Sequence, residues 1–167
     1  GLISLVVLGA APCLATQPAA ELSAIEAMLA RGDDQSALPR VNALLTALPD
    51  DASPRQRAHL ELLLARALDA GEKDHDGVIA AATRAIEGFG SDPEFADQVL
   101  EARRLRGLAW TRQRNADKAL AELGEVERLM RERGADQSPA HAQVLSDLSL
   151  AQRISADYGG ALTSLDA

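Results

Sequence analysis

Aromatic residues are almost missing from this chain: one Trp, one Tyr and two Phe make up 2% of its 167 residues. Large rings therefore cannot be the main filling of a core, and the 47% hydrophobic share rests chiefly on alanine and leucine, both strong helix formers. Cysteine occurs once, as Cys13, which excludes an internal disulfide. Basic residues are outnumbered, 17 Lys and Arg against 25 Asp and Glu, for a net charge of -8. That balance argues against a nucleic-acid partner, because binding a polyanion draws on clustered basic side chains; it reads as ordinary solubility. Catalytic signatures are lacking too: there is no Gly-x-Ser-x-Gly turn to strain a nucleophile and no glycine loop to cradle a phosphate.

What remains is helical. Four runs carry proline in their first turn, at Pro18, Pro54, Pro93 and Pro139. Three of these prolines follow a capping residue, Ser53, Asp92 or Ser138, and Gln56 completes a capping box with Ser53. Each run is followed by a joint, Gly32, Gly71, Asn115 or Asp157, and then by a second run. The second helices are expected over roughly 36–48, 77–87, 116–133 and 159–167, with Ser36 as a cap that places Pro39 in a first turn. No strand-like alternation competes.

The most informative stretch is Gly107-Leu108-Ala109-Trp110, followed by Ala119 and Leu120. A glycine, an aromatic three residues later and a small residue further on suit two closely packed antiparallel helices. Small residues at the start of the other second helices are Ala37, Val78 and Ala161, spaced from Ala119 and one another by 41, 41 and 42 residues. A period in that range signals a stacked helical array.

At these residues the chain resembles the tetratricopeptide-repeat family, in a lengthened form. Gly107, Trp110, Ala119 and Leu123 match its third unit; Gly32, Ala37, Leu44, Leu45 and Pro49 match its first; Leu145, Leu148, Tyr158, Ala161 and Leu165 match its fourth. Arg103 and Arg106 depart from large apolar positions, Arg114 replaces the turn glycine, and Val78 replaces the usual alanine after a longer turn. The resemblance implies an all-α fold: a right-handed superhelical stack of antiparallel helix pairs, about four, the last incomplete. Its units run roughly over 18–51, 53–91, 92–135 and 138–167, within a repeat domain of 16–167.

Residues 1–15 are uncharged and apolar with a small-residue end, the pattern of a secretory signal; cleavage after Ala15 would leave Thr16 first. Export to the periplasm or extracytoplasmic face of a bacterial membrane is the expectation, as the front part of a longer protein. Pro12 stands where an acylated Cys13 would need a small residue, so lipidation is not expected.

No metal, cofactor or catalytic residue is expected. His59 and His141 lack neighbours at metal-ligand spacing and read as partly exposed helix surface. The acidic joint around His75 lacks the ligand pattern of a calcium loop, and Asp74 or Asp76 reads as an N-cap. Arg31-Gly32-Asp33 reads as a helix end and turn. The resemblance places an inner surface on exposed positions of the first helices: Glu26, Glu61, Arg104, Leu108, Thr111, Arg112, Leu150 and Arg153. Arg104, Leu108, Thr111 and Arg112 form one helical stripe, suited to a carboxylate or acidic peptide. The expected function is a non-catalytic protein- or peptide-binding module. The alternative is the extracytoplasmic sensory region of a diguanylate cyclase or histidine kinase whose catalytic domain follows residue 167, with membrane attachment through chain outside this segment.

Overall fold

The computed structural model describes the backbone of residues 17–135 and 137–165, with side chains over 20–135 and 137–156. The signal-like residues 1–15, with Cys13, lie outside the described residues, as do the side chains of Tyr158, Ala161 and Leu165. Seven α-helices follow in order: α1 (Gln17–Ala30), α2 (Asp34–Ala47), α3 (Pro54–Gly71), α4 (His75–Phe89), α5 (Ala96–Arg112), α6 (Ala116–Glu132) and α7 (Pro139–Leu165). There is no strand among the described residues. Each helix packs on the next, and α3, α5 and α7 also touch one another in sequence. This is an all-α, repeat-like fold of helices packed in neighbouring pairs.

The caps explain where these helices start. Ser53 and Gln56 make the capping box at α3, with Pro54 at its first position. Asp33, Asp74 and Asn115 cap α2, α4 and α6, each accepting from the backbone N–H three residues ahead. Asp33 takes the role expected of Ser36, whose N–H it satisfies. Helix α2 therefore starts two residues early and carries Pro39 in its interior; the Gln35 carbonyl that loses its partner lies on an exposed turn. Two further starts and stops differ from expectation. Pro93 opens a single 3-10 turn, Pro93–Phe95, before α5, and the left-handed residue after α3 is Glu72 (φ 54), not Gly71. Gly32 (φ 76) and Arg114 (φ 59) hold the equivalent places after α1 and α5.

The fourth joint differs most. Asp157 ends nothing: α7 runs on through Gly159 and Gly160 to Leu165, 27 residues in all.

The core is built from small side chains, as the composition demands. Ala37, Val78 and Ala119 are all fully buried. Between α3, α4 and α5 seven alanines meet, Ala58 and Ala65, Ala81, Ala82 and Ala85, and Ala102 and Ala109, with Phe89 closing one end against Phe95. Gly88 lets α4 approach α3 closely: a β-carbon there would lie 2.8 Å from that of Ala58 and 2.9 Å from the Pro54 carbonyl. Gly107 does the same between α5 and α6, where a β-carbon would meet Leu123 Cγ at 2.7 Å.

Candidate functional site

The joint at Gly107 packs rather than binds. Trp110 is half-buried against the cluster of Ala119, Leu123 and Ala151, tying α5 and α6 to α7. Its open face is covered by the Lys118 ammonium, 4.2 Å from the ring centre.

The arginine stripe has a different arrangement from the expected open surface. Leu108 is 8% exposed and Thr111 1%; the Thr111 hydroxyl donates to the Gly107 carbonyl of its own helix, 2.9 Å away. Both are corrected from groove to core. Arg104 and Arg112 point to opposite neighbours. Arg104 Nε donates to Asp147 on α7 at 2.7 Å, and Arg112 is hydrogen-bonded to Asp69 on α3, with Glu72 at 3.6 Å. Their forks hold carboxylates, as guanidinium chemistry favours, but these carboxylates belong to the chain itself.

The same pattern runs the length of the first-helix face. Glu26 on α1 meets His59 on α3 at 3.2 Å, and Arg66 on α3 grips Glu101 on α5, its Nε 2.6 Å from the carboxylate. Each of α3 and α5 carries both signs, and each neighbouring pair of first helices is bridged. Glu61, expected in the groove, is instead buried and held bidentately by Arg84 on α4 at 2.7 and 2.9 Å. That bond, against a smaller opposing effect of burial, raises the Arg84 guanidinium above its ordinary range. Arg103 and Arg106 point to α6, where they share Glu122, and Arg106 also donates to Thr83 of α4.

Arg153 is exposed and Leu150 half-buried, so the groove residues split into buried, paired and open groups. His141 is a further correction: it is buried and bonded to Glu127 at 3.3 Å rather than exposed. Among the described residues no group of three His, Cys, Asp or Glu is placed to hold a metal, and no helix is long and apolar enough to cross a membrane.

Two hollows lie along the first helices. One, of about 280 Å³, sits between α5 and α7 on a floor of Leu100, Val126, Met130 and Val144, with Glu101 and Arg104 at its rim. The other, about 470 Å³, is lined by Leu22, Leu44, Leu48 and Leu60 with Arg55 and His59 at its edge. Sequence reasoning named Arg104 but missed its cleft and its carboxylate. A signal existed: Arg104 and Asp147, like Asp69 and Arg112, stand 43 residues apart, close to the repeat length.

No protein-family model, curated protein or solved structure matches the chain. Its class rests on its own geometry: an all-α, repeat-like fold in which neighbouring helices pack and the odd-numbered helices are joined in turn by salt bridges.

Proposed function

We propose that the chain is a non-catalytic, tetratricopeptide-like binding module whose helix pairs wind into a right-handed superhelix and whose first-helix face takes a protein or peptide. The observation that carries this reading is the cleft between α5 and α7, apolar at its floor and ringed by Arg104 and Glu101. Apolar hollows edged by a few fixed polar groups are the usual form of a ligand site. Arg104 meets Asp147 through its Nε, so an incoming carboxylate would compete for a guanidinium that is already oriented. The favoured ligand is an extended acidic peptide with one apolar side chain for the floor. Nucleic acid does not fit the charge balance. In this reading residues 1–15 direct export, and any membrane attachment lies outside the segment.

The test is a titration of acidic, basic and neutral peptide pools by fluorescence anisotropy. Acidic peptides should bind in a salt-sensitive way, and Arg104→Gln should weaken them at least tenfold. Arg131→Gln, on an exposed turn of α6, should leave binding as it was. Equal losses in both variants, or no preference among the pools, would remove the cleft. The sensory-region reading is separated by the gene: a spanning segment and a cyclase or kinase motif after residue 167 would put that reading first.

A further inference from the structure

The last turns of α7 repeat a pattern that the rest of the molecule uses in another conformation. In α2, α4 and α6 the capping residue, Asp33, Asp74 or Asn115, lies four residues before the fully buried Ala37, Val78 or Ala119. A large apolar residue follows each directly, Leu38, Ile79 or Leu120, and another core residue comes three later, Val41, Ala82 or Leu123. Asp157, Ala161, Leu162 and Leu165 reproduce this spacing within α7. Gly160 falls where Gly77 falls in α4, a place at which a β-carbon would sit 2.3 Å from the capping Asp74 carboxylate.

The residue ahead of the cap is what differs. The turns before α2 and α6 pass through a left-handed residue directly before the cap, Gly32 and Arg114. Ala156 holds that place in the fourth copy, and alanine is the strongest helix former.

The exposed side of α7 supplies the other half of the argument. Glu72 and Arg114 mark corresponding turns 42 residues apart, and the same step from Arg114 reaches Ala156. In that register Leu145 stands where Arg103 stands, and Ser149 where Gly107 stands. Arg103 and Gly107 both face α6, the first through Glu122 and the second through Leu123. Leu145 is left 46% exposed, and Ser149 is exposed one turn further on. In the same register Leu165 corresponds to Leu123, which lies over Gly107.

We propose that α7 has a second state in which the chain turns at Ala156 and Asp157, and residues 158–165 fold back as a short antiparallel helix that covers Leu145. The straight and folded forms compete because Ala156 favours the first while the cap, the small residue and the apolar spacing favour the second. This inference goes beyond the binding function and does not depend on it.

The test joins Ser149 to Ser164. In the straight helix they are 15 residues apart, about 22 Å at the helical rise. In the folded form they correspond to Gly107 and Glu122, whose β-carbons would lie 3.5 Å apart, within the range of about 3.5 to 4.5 Å that a disulfide spans. Ser149→Cys with Ser164→Cys, in the 167-residue chain carrying Cys13→Ala, should form an intramolecular disulfide under mild oxidation, read by gel shift and mass. Ala156→Gly should raise the rate, and Asp157→Ala, which removes the cap, should lower it about tenfold. Equal rates in the two variants, no disulfide even with Ala156→Gly, or only disulfides between chains would overturn the proposal, the last by assigning the face to a second copy.

Discussion

Replacing Gly107 by alanine sets two opposing effects against each other at one place. A helix-interior glycine costs about 1 kcal/mol relative to alanine, so an unobstructed substitution would stabilise. At Gly107 the new methyl would lie 2.7 Å from Leu123 Cγ and 2.8 Å from its Cδ2. Leu123 is fully buried against Ala119 and Ala151, so it cannot swing into solvent, and overpacking of this kind costs about 1 to 3 kcal/mol. The net expectation is a loss of up to about 2 kcal/mol once the propensity gain is subtracted. Gly124, one residue past Leu123 on α6, is the control: a β-carbon there meets nothing within 4 Å, so Gly124→Ala should gain up to about 1 kcal/mol. Thermal melts followed by circular dichroism should separate the two variants by several degrees, since about 1 kcal/mol moves a domain of this size by about 2 to 4 °C. The double variant Gly107→Ala, Leu123→Ala should be better than the sum of its parts, because the added methyl fills part of the cavity. If both glycine variants melt higher than the parent by the same amount, α5 and α6 do not approach at Gly107 and the reasoning fails.

Four other outcomes are expected. Gly88→Ala should destabilise by about 1 to 3 kcal/mol, because the methyl would press on the Pro54 backbone carbonyl as well as Ala58; a neutral melt would contradict the α3–α4 packing. Trp110→Ala should cost about 2 kcal/mol, below the range for a fully buried ring, since Trp110 is only half-buried; calorimetry decides. Arg104→Met alone should be strongly destabilising by removing the counter-charge of the buried Asp147 carboxylate and leaving it only the Gln143 amide, whereas adding Asp147→Leu should recover most of the loss; denaturant melts that show no recovery would refute the pairing. Glu127 is pulled up by burial but held below its ordinary value of 4.5 by hydrogen bonds from Arg131 and His141. A depressed carboxylate contributes stability that is present above the ordinary value and lost as pH falls through the lower folded value. The parent should therefore lose stability below about pH 4.5 more steeply than Glu127→Gln, and superimposable acid melts would dismiss that contribution.

The helices were legible because their ends are written in side chains. Ser53, Gln56 and Pro54 specify a start with local chemistry alone, and the three buried small residues, Ala37, Val78 and Ala119, follow from spacing. Errors arose where two local solutions compete. Ser36 and Asp33 both suit a cap, and the carboxylate closer to the turn won; Gly71 stays helical as the last residue of α3, and Glu72 after it takes the left-handed conformation. The stripe was misjudged for another reason. A helical face of Arg104, Leu108, Thr111 and Arg112 looks open from its own helix, and only the neighbours show that its ends are bridged and its middle covered. The period held part of that information too, since Arg104 and Asp147, like Asp69 and Arg112, face each other across first helices from close to one repeat apart.

The bridges between successive first helices also give the stack an address system. Glu26 meets His59, Arg66 meets Glu101, Arg112 meets Asp69, and Arg104 meets Asp147. The step that carries Glu72 to Arg114 carries His59 to Glu101. Removal of the second unit would therefore bring Glu26 and Glu101, two like charges, to the same crossing. The crossings between successive first helices are in this way made non-interchangeable, and the chain is told in which order its units assemble.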